Sequence, residues 1–176
     1  MGPDGATAAD LVRRGLAVFA LPAGGRVPAP GWQQRIIIDP DQAQRLWLPG
    51  DNIGVSCRAS QLVGIDLDHA DHLDGLLAFE ALCAAHGHRP PATLRVRTPH
   101  GRHLYLRAPA GVVITSSSGE RSPLGPGIDI RAPGRRTGGY LIGPGSVVAG
   151  LRYRIEHDAD IAPLPDWLID HLRETT

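Results

Sequence analysis

The chain has 176 residues and a mass of 18.7 kDa, with 42% apolar residues, 20% charged residues and no net formal charge. That describes one globular domain with a real core, neither a disordered chain nor two full domains. All 18 basic residues are arginine, which excludes every mechanism that needs a lysine, such as P-loop phosphate binding or Schiff-base chemistry.

The 22 glycines and 16 prolines imply tight turns between short elements, a pattern that favours strands over a helical bundle. Thr7 to Arg14 reads as a short helix ended by Gly15, followed by a strand at 16–21. The apolar run that starts at Leu16 is interrupted by Pro22 and Gly24-Gly25. It is far short of the ~20 residues of a membrane helix and leads to no cleavage site, so a soluble, cytoplasmic protein is expected. Asp39-Pro40-Asp41-Gln42 starts a second helix, with Asp39 as cap, Pro40 at the first position and Gln42 closing a capping box. Strands are predicted at 53–57 and 62–67, paired through a turn at 58–60. An amphipathic helix follows over 74–85, with Leu76, Leu77, Phe79, Leu82 and Cys83 as its apolar face. From Leu94 the pattern changes to strands at 94–98, 102–107, 112–115, 127–131, 139–142 and 151–155. Residues 116–127 form a mobile loop in this reading, and 165–172 a closing helix. The expected class is α+β, a single domain over 7–172 with flexible termini at 1–6 and 173–176. Cys57 and Cys83 lack metal or disulfide spacing and read as inert core thiols.

Charge is segregated along the chain. Residues 89–154 hold eleven arginines against two acids, while the flanking stretches are acidic. Such a basic stretch repels itself, and a polyanion would relieve it through phosphate contacts. Acidic segments folding back over it would do the same, and charge alone leaves both readings open.

Three strands share one polarity. Residues i and i+2 of a strand project from the same face, so Asp66 with Asp68, His103 with Tyr105, and Asp129 with Arg131 each stand opposite a branched aliphatic pair. If the three strands lie in one sheet, three carboxylates, an imidazole and a guanidinium meet on one surface. The carboxylates would repel and raise each other's pKa, a penalty that two divalent ions, Mg²⁺ or Mn²⁺, remove. Two such ions are a standard clamp for displacement at phosphorus. Each piece also has a plainer reading. The acidic pair suits a solvated strand end, His103 suits a structural histidine, and Asp129 suits an ion pair with Arg131 or Arg107. The cluster Asp68, His69, Asp71, His72 and Asp74 reads as helix-capping chemistry, and His86 and His88 as complements to a helix dipole.

Together these segments resemble the bifunctional DNA primase/polymerase N-terminal domain, the prim-pol branch of the archaeo-eukaryotic primases. The likeness runs from about Leu11 to Leu172. Val18 to Pro28 is similar to the family's apolar strand and Gly-Gly loop, with Arg26 where a lysine is common, and Asn52-Ile53-Gly54-Val55 matches the strand after it. Val63 to Asp68 looks like the first catalytic motif, Thr98 to Tyr105 the second, and Gly127 to Arg131 the third. Gly138 to Ser146 and Ala162 to Leu168 resemble the strand and helix that close the domain. Gly101 stands where some relatives carry serine, and Arg135-Arg136-Thr137 lengthens a turn.

The resemblance implies a prim-pol fold, a mixed sheet with an RRM-like catalytic subdomain and flanking helices. It implies template-directed nucleotidyl transfer, with Asp66, Asp68 and Asp129 as ligands of two Mg²⁺ or Mn²⁺ ions and His103 at the triphosphate. Gly101, Arg102, Arg131 and Arg26 are further candidates for nucleotide contacts. The partners it implies are a DNA template and primer, dNTP or NTP, and a helicase or helical accessory domain in trans. The alternative is a non-catalytic nucleic-acid- or nucleotide-binding module of a mobile-element replication system. A DxD phosphatase or glycosyltransferase accounts for neither His103 nor Asp129.

Overall fold

The computed structural model describes residues 6–70 and 72–173; the termini predicted to be flexible lie outside them, apart from Ala6 and Arg173. Thr7 caps helix α1 (Ala8–Arg13) through a reciprocal box: Thr7 Oγ1 accepts the Asp10 N–H at 3.2 Å, and Asp10 Oδ2 accepts the Thr7 N–H at 3.0 Å. Gly15, at φ +76°, turns the chain into β1 (Val18–Leu21). Asp39 caps α2 (Pro40–Leu46), its Oδ1 accepting the Gln42 N–H at 2.7 Å. Among the described residues the Gln42 side chain returns no bond, so only half of the expected capping box forms.

Strand β2 (Asn52–Ser56) is buried along its whole length and continues into the single helical turn α3 (Cys57–Ser60). The pairing expected between the segments on either side of this turn does not form. β2 lies between β1 and β8 (Tyr140–Ile142) in a separate three-stranded sheet, while β3 (Leu62–Ala70) crosses into the main sheet. The reason is steric: α3 turns the chain through nearly a full helical turn instead of a hairpin, and Gln61 then takes a left-handed conformation (φ 48°).

β3 is the centre of the main sheet. On one edge it pairs antiparallel with β6 (Gly101–Arg107), which pairs β5 (Arg95–Thr98), which pairs β11 (Arg154–His157). On the other edge it pairs with β7 (Ile128–Arg131), and beyond that with the two-residue β4 (Leu73–Asp74). All these ladders are antiparallel, and the parallel component is the isolated bridge between Arg107 and Pro163. Helix α4 (Gly75–Ala85) and helix α5 (Asp166–Leu172) pack on one face over Val63, Ile65, Leu67, Leu104, Leu106 and Ile130. The second core, on the opposite face, contains Leu62, Val96 and Tyr105 against Val18, Val55 and Leu141 of the small sheet. This is the expected α+β class, with one sheet sandwiched between helices and a smaller sheet.

Two glycines make room for close contacts, Gly64 between the two sheets and Gly54 within the small one. A Cβ on Gly64 would strike Leu141, and one on Gly54 would strike the ring of its cross-strand partner Phe19. Both make room for a neighbour's side chain.

Several elements differ from the sequence reading. Residues 112–115 form no strand and make one isolated bridge, between Ile114 and Arg173. The loop predicted as mobile is tied to the free edge of β7 by backbone bonds between Ser117 and Ile130 at 3.0 and 2.8 Å. Leu77 is 61% exposed, and the face α4 buries is Gly75, Phe79 and Cys83. Asp74 caps that helix by accepting the Leu77 N–H at 3.0 Å, and His69 lies 3.5 Å from it. The capping reading of this cluster therefore holds for Asp74, with His69 beside it, and not for Asp68, which stands on the polar face of β3; Asp71 lies outside the described residues. Both cysteines are free and buried, and burial pushes the Cys57 thiol up to about 12.

Candidate active site

Asp66 lies directly opposite His103 of β6 on one side and Asp129 of β7 on the other. Paired residues of antiparallel strands project from the same face, so imidazole and carboxylates form one row across three strands. Asp68 projects from that face one pleat further on, opposite Gly101, and Gly64 lies one pleat back, between Tyr105 and Arg131. Gly101 runs so close to the Leu67 carbonyl that a Cβ there would collide with it, which leaves Asp68 without a side-chain neighbour on β6.

The row stands at the edge of burial: the side chains of His103 and Asp66 are 6% and 18% exposed. His103 Nε2 lies 3.3 Å from Asp66 Oδ1, while its Nδ1 is buried with no hydrogen-bond partner among the described residues. Burial works against the Asp66 charge, but the nearby His103 and Arg131 outweigh it and hold the carboxyl below its ordinary value. Asp68 behaves oppositely. Burial, then the charges of Asp66 and Asp129, push its carboxyl up.

Asp129 is engaged elsewhere. Its Oδ1 accepts the Gly119 N–H at 2.8 Å and its Oδ2 accepts Arg131 Nη2 at 3.0 Å. Consequently no group of three or more His, Cys, Asp or Glu side chains among the described residues is placed to hold a metal ion. The donor chemistry nonetheless fits a hard divalent cation, which takes oxygen ligands. Asp68 accepts no hydrogen bond from the described residues, and the repulsion that raises its carboxyl is the penalty such an ion removes.

The profile of the family described as bifunctional DNA primase/polymerase, N-terminal, matches residues 8–167. The chain belongs to this family. A comparison with curated proteins finds no match. Membership places the chain among primase/polymerase-type nucleotidyltransferases of DNA replication, generally metal-dependent, with DNA and nucleotides as substrates. No helix among the described residues is long and apolar enough to cross a membrane.

In this prim-pol domain the row opens into a cleft of about 690 Å³ between the two sheets, lined by Asp66, Asp68, His103, Arg131 and Arg26 among others. That volume is in the usual range for a small-molecule site. Arg26 is carried on the loop after β1, which two side chains hold in place. Buried Asn52 donates to the Gly25 carbonyl and the Val147 carbonyl and accepts the Val147 N–H, all at 2.8 Å, and Tyr140 Oη donates to the Arg26 carbonyl at 3.0 Å.

Arg102 is not brought to the site. It projects from the opposite face to His103, beside Leu67, and its Nε donates to Glu156 at 2.8 and 3.1 Å. Arg95 Nε also lies 2.7 Å from Glu156. The acidic C-terminal stretch thus covers part of the basic one, as the fold-back reading of the charge segregation expects. Arg131 projects from the same face as the row, one pleat back, and pairs with Asp129. His86 and His88 stack on Trp167, at 5.1 and 5.7 Å between ring centroids.

The sequence reading missed four ring-bearing side chains that line the cleft: His100, Trp32, Tyr140 and Tyr153. Tyr140 follows Gly138-Gly139 directly and His100 lies in the second motif, so both had a local signal. Trp32 sits in a short 3-10 turn (Trp32–Arg35) and had none.

Proposed function

We propose that the cleft catalyses template-directed nucleotidyl transfer. A 3′-hydroxyl attacks the α-phosphate of a nucleoside triphosphate, the new P–O bond forms as the bond to the β-phosphate breaks, and pyrophosphate leaves. The observation that carries this reading is the in-register row of Asp129, Asp66 and His103 across β7, β3 and β6.

Asp66, Asp68 and Asp129 are the residues that would hold two Mg²⁺ or Mn²⁺ ions. Such ions, when bound, act as Lewis acids on phosphate oxygens and lower the pKa of an attacking hydroxyl. Asp66, kept ionised by His103 and Arg131, stands ready as a ligand without losing a proton first. His103, fixed against Asp66, presents the ring edge that contacts the triphosphate. Arg26, exposed on its braced loop, meets phosphate oxygens from the opposite wall. Gly101 offers only its backbone N–H to a phosphate. Residues 7–172 act as one catalytic unit, and a helicase or helical module in trans would supply opened template.

Primer extension tests the reading. Wild type with dNTPs and Mn²⁺ should lengthen a labelled primer on a template, and Asp66→Asn should reduce this at least about 10³-fold, the scale expected when electrostatic stabilisation of the transition state is lost. Equal extension by the variant refutes the mechanism.

One observation favours a second reading. Asp129 is fully engaged by Gly119 and Arg131, as suits a module that binds nucleic acid without catalysis. Calorimetry separates the two: DNA binding without metal-dependent dNTP binding favours the module.

A further inference from the structure

The cleft does not end at its inner wall. Trp32, Gln33, Thr137 and Gly138 line both the cleft and an adjoining trough of about 1060 Å³. Arg58 and Arg136 line this trough, and Asp66 does not. No acidic side chain lines it among the described residues. Arg58 spends its hydrogen bonds on the neutral carbonyls of Gly134 and Arg135, at 3.2 and 3.0 Å, so its positive charge stays uncompensated while it fixes the loop that bears Arg136. Arg136 is exposed and has no ion-pair partner among the described residues.

Trp32 stands at the junction. Its ring is half-buried, backed by Phe19 at 4.2 Å between centroids and braced edge-on by Tyr140 at 5.6 Å. Phe19 can lie there because Gly54 has no side chain. The trough therefore offers a rigid aromatic face followed by arginines. This pairing binds single-stranded nucleic acid without reading its sequence: bases stack on the ring, and phosphates follow the cations.

We infer that this trough is the path of the single-stranded template, with Trp32 as a stacking platform at the cleft entrance and Arg136 as a phosphate contact. The inference rests on the templated reading of the cleft. Duplex DNA does not fit it, because paired bases cannot turn a face to Trp32.

The test is fluorescence anisotropy with a labelled oligothymidylate of about 12 nucleotides, in EDTA and without dNTP, so that no catalytic step enters. Wild type should bind. Trp32→Ala should weaken binding about tenfold and Trp32→Phe should restore most of it, while Arg136→Glu, an exposed change with little bearing on folding, should lower the salt slope by about one. Asp66→Asn should bind the oligonucleotide while losing primer extension. Absence of wild-type binding, wild-type affinity and slope in both Trp32→Ala and Arg136→Glu, or equal competition by a duplex of the same length overturns the inference. An Asp66→Asn variant that still extends primers instead refutes the catalytic reading and leaves the binding result intact.

Discussion

Asp66 and Asp129 face each other directly across the β3–β7 ladder, and each carboxylate is turned to a different partner, the His103 imidazole for one and the Arg131 guanidinium for the other. Like charges directly opposite in a sheet are destabilising. The third carboxylate, Asp68, is raised by its burial first and then by repulsion from these two.

Asp66 and Asp68 should therefore respond to neutralisation with opposite signs. The folded-state pKa of Asp68 is raised, so the folded protein holds that proton more tightly and loses stability as pH rises through the folded value. Asp68→Asn should raise Tm at pH 7 in EDTA, and the gain should shrink as pH falls through the raised folded value and be gone below the ordinary carboxylate pKa of about 3.9. The folded-state pKa of Asp66 is depressed, so its contribution is present above the ordinary value and lost as pH falls through the folded one. Asp66→Asn should lower Tm at pH 7. Calorimetry across this pH range checks both signs, and equal shifts in one direction would contradict the electrostatic account.

Buried Asn52 closes three part-buried hydrogen bonds that join the Arg26 loop to β9 (Val147–Val148). Asn52→Leu keeps the volume but leaves buried backbone groups unpaired, which should cost about 3 kcal/mol. Urea unfolding measures it, and a cost within about 0.5 kcal/mol of zero would mean that water replaces the side chain.

Gly64 lets Leu141 of the small sheet rest on β3. Gly64→Val should force the two sheets apart, destabilise the protein by about 1–3 kcal/mol through overpacking and weaken dNTP binding by widening the cleft between them. Unfolding combined with a dNTP titration reads both effects. Full stability and affinity in the variant would show that the layers are not held at this point.

Cys57 is wholly buried, with its thiol pushed up to about 12, and Cys83 is also buried. A thiolate is the reactive form, so neither should react with Ellman's reagent until the chain is unfolded. Rapid labelling of the native protein would contradict this.

The period-two pattern made the row legible: Asp66 with Asp68, His103 with Tyr105, and Asp129 with Arg131 each declare a polar face by alternation alone. The same rule carried a signal against Arg102, which is one residue from His103 and so must project from the other face. Strand partners were harder to read. The sequence shows β2 and β3 as neighbours along the chain, and nothing local reveals that α3 sends them to different sheets. Side-chain direction was also out of reach: whether Asp129 faces Asp66 or the Gly119 amide depends on a loop brought to β7 by bonds between distant residues, Ser117 and Ile130. Trp32 became visible only once Phe19, Gly54 and Tyr140, from three separate strands, met around it.

A crystal grown with Mn²⁺ and a non-hydrolysable dNTP will show whether Asp66, Asp68 and Asp129 form a cation site beside His103. Anomalous density should lie between these carboxylates, with Asp129 released from the Gly119 amide and the triphosphate against His103. Nucleotide bound elsewhere, or Asp129 still held by Gly119 and Arg131 with no manganese beside Asp66, would contradict that site.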